Sequence, residues 1–289
     1  MTERAQTRIH IDCKSGFCFG VEKAIQKAEE MLAHKEQFFC LGNLVHNDLE
    51  MERLRNKGLT VISHKDFFKL QNQTVLLRTH GEPPEVYRYA NANHIRLIDA
   101  TCPVVLQLQQ KVLRAHESER RRNGQLLIFG KKDHAEVIGL NGQTNNQATI
   151  IEDEKDIAKI DFSKPASLFS QTTKSLKKYQ QLGELISRKI SRPMEIFNTV
   201  CRQVDSRVSQ LQQFAREHET IVFVGGTQSS NAHYLFDVCR KINSESFLVS
   251  CSNELPLERL RQSGSIGICG ATSTPRWLME EIADFIVKN

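Results

Sequence analysis

The sequence predicts an α/β protein of three related lobes with mainly parallel sheets, set around a pseudo-threefold axis. Two observations predict it. Three segments share one plan, a short β-like run, a polar turn, a cysteine and a helical pattern: IHIDCKSGFCFGVEKAI, IRLIDATCPVVLQLQQ and MEIFNTVCRQVDSRVSQL. Each is then followed, in the same order, by two apolar strands that end in polar clusters: FFCLGNLVHND and VLLRTHGEPP, LLIFGKKDHAE and SLFSQTTKS, IVFVGGTQSSNAH and IGICGATSTP. Strands that alternate with helices imply parallel sheets with right-handed crossovers.

In the first lobe, 1–100, the helix after Cys18 carries an apolar stripe of Val21, Ala24, Ile25, Ala28 and Leu32 at spacings of three and four. His46 and His80 end its two strands, 28 and 62 residues after the cysteine. The second lobe, 101–199, repeats the helix with Val105, Leu108 and Val112, and places His134 and Thr172 at offsets of 32 and 70 from Cys102. In the third, 200–289, the stripe is Val204, Val208, Leu211 and Ala215, and Ser229 and Ser273 follow Cys201 by 28 and 72 residues. A period of roughly 90 residues is too long for a solenoid and fits three domains of one kind.

With 289 residues, 39% of them hydrophobic and 25% charged, the chain is long enough for a buried core. No apolar run approaches the ~20 residues of a membrane span, and the start MTERAQTRIH mixes charges with no apolar stretch behind it, so a cytoplasmic protein is expected. The net charge of +5 is spread along the chain, with RRR at 120–122 as its one block. That argues against a nucleic-acid partner and favours small anions or an acidic protein. Eight cysteines in such a compartment stay reduced. Cys13, Cys40, Cys239, Cys251 and Cys269 lie in or beside apolar runs and read as small buried hydrophobes.

Cys18, Cys102 and Cys201 are different because each opens a helix. Helix starts present unsatisfied N–H groups and partial positive charge, which favour a thiolate and hence a metal. Three soft sulfurs suit zinc or an iron–sulfur cluster, and the dispersed spacing leaves both open. Polar groups at strand ends in parallel sheets gather at the functional edge. Here they are His46, His80, His134, Thr172, Thr173, Ser229, Ser230, Asn231 and Ser273, a donor-rich set suited to a multiply charged oxyanion such as diphosphate. No GxxxxGK[ST] loop is present. Taken singly, each has an ordinary structural reading: a strand-end histidine is commonly a turn residue, and Ser-Ser-Asn a helix cap. Recurrence at matched stations favours the functional reading. Asp48, Glu82 and Glu136 are carboxylates beside these clusters, and Glu136, two residues after His134, is the candidate proton donor.

The ordered segments GFCFGVEKAI, LVHND, THGEPP, DATCPVV, HAEVIG, SQTTKS, NTVCRQV, GGTQSSNAH and GATSTP resemble the 4-hydroxy-3-methylbut-2-enyl diphosphate reductase family over about residues 9–280. The resemblance implies a [4Fe-4S] enzyme with its lobes around a central iron–sulfur site, held by Cys18, Cys102 and Cys201 with one iron open. It implies conversion of the hydroxymethylbutenyl diphosphate to isopentenyl and dimethylallyl diphosphate, the last step of the methylerythritol phosphate route. His46, His80, His134, Ser229, Ser230, Asn231 and Ser273 would bind the diphosphate. Glu136 would deliver protons, with Thr172 positioning the hydroxyl and His134 contributing. A ferredoxin or flavodoxin is the expected electron donor. The sequence departs from the family's usual His-Pro-Glu in reading His134-Ala135-Glu136. Rival readings are a zinc-dependent phosphate-ester hydrolase and a non-enzymatic iron–sulfur redox sensor.

Overall fold

The computed structural model describes residues 7–35 and 37–289, so the leading MTERAQ and Glu36 lie outside the described residues. The chain opens with β1 (Arg8–Ile11) and α1 (Phe19–Ala33), followed by β2 (Phe39–Leu41), α2 (Asp48–Asn56), β3 (Thr60–Ile62), α3 (His64–Phe67), β4 (Thr74–Leu77), α4 (Pro84–Ala92) and β5 (Arg96–Asp99). It continues through α5 (Pro103–Arg121), β6 (Gln125–Phe129), α6 (Ala135–Gly142), β7 (Thr149–Ile151), β8 (Ala166–Ser170), α7 (Leu176–Ser187) and β9 (Met194–Ile196). The last part holds α8 (Arg202–Arg216), β10 (Thr220–Val224), α9 (Ser230–Ile242), β11 (Ser246–Val249), α10 (Leu257–Leu260), β12 (Ser265–Gly270) and α11 (Arg276–Lys288).

These strands form three four-stranded sheets, ordered β3-β2-β4-β5, β7-β6-β8-β9 and β11-β10-β12-β1, with every pairing parallel. The α/β class and the three parallel-sheet lobes are therefore as the sequence predicts. Central strands such as β8 and β10 are buried along their whole length, because helices cover both faces of a parallel sheet. The sequence plan contains three strands per lobe, and the fourth, β3, β7 or β11, is an addition. At three or four residues each, these edge strands are too short and too mixed in burial for a period-2 signal to register.

The third sheet is completed by the amino terminus: Arg8–Ile11 pairs in register with Ser265–Ile268. A first lobe cut at 1–100 therefore contains one strand that belongs to the sheet of the third. In each sheet the strand before a cysteine is an edge strand, β5 before Cys102, β9 before Cys201 and β1 before Cys18. The helices that follow pack by their predicted stripes. Leu108 and Val112 of α5 lie with Leu126, Ile128 and Val137, and Leu211 and Ala215 of α8 lie with Ile221 and Phe223.

Contacts divide the described chain into two units. One comprises residues up to Glu22, Val45–Lys57 and Arg202–Asn289; the other comprises Lys23–Leu44 and Gly58–Cys201. The first unit holds the β11-β10-β12-β1 sheet together with α2, whose Leu49 packs beside Leu278, Met279 and Ile282. Buried Glu50 of α2 accepts hydrogen bonds from Trp277 Nε1 at 2.8 Å and Arg53 Nε at 2.9 Å, so its charge is paired inside the unit. The second unit holds the other two sheets. Its β6–β9 sheet buries Leu127, Leu168 and Tyr179, and the Tyr179 hydroxyl donates to the carbonyls of Leu168 and Phe197.

Candidate functional site

In each sheet β2, β6 or β10 lies beside β4, β8 or β12 and has the intervening strand on its other side, as in a doubly wound fold, so the outgoing loops of the two central strands diverge. Ligands bind at this switch point, outside the carboxyl ends of the two strands. The predicted polar residues fall at its loops with nearly constant spacing. His46, His134 and Ser229 stand five residues past Leu41, Phe129 and Val224, the ends of β2, β6 and β10. His80, Thr172 and Ser273 stand two or three residues past the ends of β4, β8 and β12.

The three cysteines also share a backbone contact. Cys18 N–H donates to the Thr272 carbonyl at 3.1 Å, Cys102 N–H to Thr79 at 3.0 Å, and Cys201 N–H to Thr172 at 2.8 Å. The threonine recurs at the same station in each lobe. α1, α5 and α8 start immediately after these cysteines, and Cys102 is itself the N-cap, with Pro103 in the first turn. All three thiols are half-buried and outside any disulfide.

In the second unit the switch point between β6 and β8 is occupied by Glu136 and Thr172. Thr172 donates twice to the carboxylate, from N–H to Oε1 at 2.7 Å and from Oγ1 to Oε2 at 2.7 Å. Glu136 is only 1% exposed, and burial pushes its pKa up to about 7 against the opposing effect of the two Thr172 hydrogen bonds. His134 caps α6, its Nδ1 accepting from the Glu136 N–H at 3.2 Å. In a neutral ring the proton is therefore on Nε2. The His80 and His134 rings meet edge to face, 5.3 Å apart. Gly81, with φ of +71°, lets the chain turn sharply after His80. Thr173 is taken up by Gln171, whose Nε2 donates to it at 2.9 Å while its Oε1 accepts from Lys131 N–H at 3.0 Å.

In the first unit the corresponding point between β10 and β12 joins Ser229 to Ser273, Oγ to Oγ at 3.1 Å. Ser229 also caps α9 by accepting from Ala232 N–H at 3.1 Å, and Ser230 and Asn231 form the helix's first turn. Asn231 Nδ2 donates to Thr272 Oγ1 at 2.5 Å, while its buried Oδ1 has no hydrogen-bond partner among the described residues. His46 lies in this unit, where its carbonyl oxygen abuts Gly226 so closely that a Cβ there would overlap it. His233 turns to the Thr227 carbonyl, 2.8 Å from Nε2.

Of the other cysteines, Cys40, Cys239 and Cys269 are buried as expected. Burial pushes the Cys40 thiol up to about 12 and also raises that of Cys269, which stays an inert hydrophobe beside Cys239. Cys13 and Cys251 correct the expectation, being exposed and half-buried. Each lies just past the end of an edge strand, where the chain turns toward solvent. Sequence reasoning passed over Thr79, Thr272, Gln171 and Gly226. The aligned polar clusters carry a signal for the threonines, since Thr precedes His80 and Ser273 and occupies position 172 itself.

Residues 9–287 match the family model described as LytB protein. The chain is 50% identical over 281 residues to 4-hydroxy-3-methylbut-2-enyl diphosphate reductase of Bacteroides thetaiotaomicron, covering 96% of this chain and 97% of that one. It is 48% identical to the protein of the same name from Porphyromonas gingivalis, covering 96% and 98%. A solved structure of (E)-4-hydroxy-3-methyl-but-2-enyl diphosphate reductase superimposes with a TM-score of 0.72 at 28% identity, over 98% of this chain and all of that one. A Plasmodium falciparum reductase structure shares the fold, with a TM-score of 0.85 at 24% identity and coverage of 96% and 87%.

Proposed function

Because the chain belongs to the LytB protein family, we propose that it is the reductase that removes the hydroxyl of (E)-4-hydroxy-3-methylbut-2-enyl diphosphate at a [4Fe-4S] cluster. Two electrons and two protons enter, water leaves, and isopentenyl or dimethylallyl diphosphate is formed. The observation that carries this reading is the recurrence of one station in three sheets: a half-buried cysteine at a helix start, bonded through its N–H to a threonine carbonyl at a polar strand end. Those donors fit the group. Cys18, Cys102 and Cys201 are soft ligands, and the adjoining helix amides favour their thiolates. Bound there, the cluster supplies electrons and a Lewis-acidic iron for the departing hydroxyl.

The remaining steps fall to side chains. His46, His80, His134, Ser229, Ser230, Asn231 and Ser273 bind the diphosphate through N–H and O–H donors. For Asn231, exchanging the amide oxygen and nitrogen lets Thr272 Oγ1 donate to Oδ1 and leaves both N–H donors available for the diphosphate. Glu136 holds the proton. With a pKa of about 7 its carboxyl is substantially protonated at neutral pH; in that form it donates to Thr172 Oγ1, 2.7 Å away, in place of accepting from it, and the threonine hydroxyl turns to pass its own proton to the substrate. The donor of electrons is a small acidic ferredoxin or flavodoxin, matched to the chain's net positive charge.

An anaerobic turnover assay with the hydroxymethylbutenyl diphosphate and a reduced viologen dye tests the reading. Formation of both isoprenyl diphosphates is expected, and their absence would overturn it. Iron and sulfide analysis of anaerobically purified protein separates it from a zinc hydrolase.

A further inference from the structure

The threefold repeat sets a cation at a station that is apolar in the other two lobes. Six residues beyond the three helix-opening cysteines stand Ala24, Leu108 and Arg207. The first two are core residues at 1% and 3% exposure, whereas the third is a cation with a side chain 13% exposed. A charge at an apolar station needs a reason, since burial of a guanidinium is costly without a compensating partner.

Arg207 Nη2 donates to the carbonyl of Gly16, two residues from Cys18, at 3.5 Å. Nη1 is buried and has no hydrogen-bond partner among the described residues. The nearby anion does not satisfy it, because Asp12 Oδ2 is 4.0 Å away. The Asp12 carboxylate is committed elsewhere: it accepts from Ser15 Oγ at 2.6 Å, Lys14 N–H at 3.1 Å, and Gln210 Nε2 at 2.8 and 2.7 Å. The guanidinium thus carries charge not fully offset by Asp12. Burial lowers its pKa, while Asp12 and the sulfurs of Cys18 and Cys269 act to raise it again.

We infer that Arg207 is a positioning residue that fixes the Asp12–Cys18 loop through Gly16 and directs a permanent positive charge at the Cys18 ligand, raising the reduction potential of the cluster. The inference rests on the cluster reading above. A fixed cation stabilises the more negative, reduced state of a cluster, and Asp12 moderates that effect.

The test is the midpoint potential of the holoenzyme, measured by anaerobic EPR-monitored titration, with iron content determined on the same samples. Arg207→Gln should shift the potential downward with iron retained, and Arg207→Lys should recover most of the shift. Asp12→Asn, whose side-chain oxygen can still accept from the loop, should shift it upward. Opposite signs from the two neutralising changes are not expected of a merely structural role. If Arg207→Gln fails to fold, Asp12→Asn still decides, because the absence of an upward shift there would overturn the inference. Unchanged potentials in Arg207→Gln and Asp12→Asn, or shifts of one sign in the two, would overturn it as well. Wild-type protein without iron and sulfide would instead overturn the reading beneath it.

Discussion

Glu136 and Thr172 form one buried contact that bears on both the proposed chemistry and stability. In Glu136→Gln the side chain keeps its size and can still accept from Thr172, but it has no acidic proton. We expect cluster and substrate binding to survive and turnover to fall by about 10²- to 10⁴-fold, the range for loss of a general acid, as measured in the anaerobic assay. Full activity would remove Glu136 from the proton path. The same carboxyl makes stability pH-dependent. Its folded pKa of about 7 lies above the ordinary 4.5, so between those values the folded protein holds a proton that the unfolded chain has released. Stability is therefore highest below that window, falls as pH rises through it, and stays reduced above it. The chemical denaturation midpoint of the Gln variant should change less than wild type between about pH 5 and about pH 8. Equal changes would show that the carboxyl is not buried in this state.

At the scale of elements, two close approaches set the loops that follow strands. Gly226, two residues past β10, leaves room for the His46 carbonyl and for the Asn47 backbone behind it. Asn47 caps α2 by accepting from Glu50 N–H at 3.0 Å, so displacing this turn also loosens the helix. Gly226→Ala should destabilise by about 1–3 kcal/mol, as overpacking does, and raise KM more than it lowers kcat, since His46 is assigned to substrate rather than to proton transfer. Unchanged KM and thermal midpoint would remove the steric role. At the helix starts, His134 and Ser229 each serve as an N-cap as well as a proposed diphosphate ligand. A cap residue is held rigidly before ligand arrives, which lowers the entropic cost of organising the site.

Across the whole molecule, eight cysteines sort by position rather than by type. Serine at Cys18, Cys102 or Cys201 should each lower iron content sharply and remove the visible cluster absorbance. Serine at Cys13 or Cys251 should leave iron content near wild type although neither is buried, because neither stands at one of the three recurring stations. Iron retained in the Cys102 variant, or lost in the Cys13 variant, would contradict the assignment. The two contact units add a feature that a serial reading of lobes lacks: α2 follows β2 in the chain but shares a core with α11, through Leu49 and through the Glu50–Trp277 hydrogen bond.

The α/β class, the repeat, the helix-opening cysteines and the polar strand ends are all legible in the linear chain. These are local signals: apolar period, turn composition and constant offset survive in a linear string. Tertiary structure decided what depends on partners distant in the chain. Arg8–Ile11 reads as the start of a first lobe, yet strand pairing carries it to Ser265–Ile268 and the third sheet. The edge strands β3, β7 and β11 owe their conformation to the neighbours that supply their hydrogen bonds, and they are too short to announce it alone. Glu136 was legible as a carboxylate beside a histidine. Its raised pKa was not, because desolvation is produced by everything packed around the group and not by its sequence neighbours.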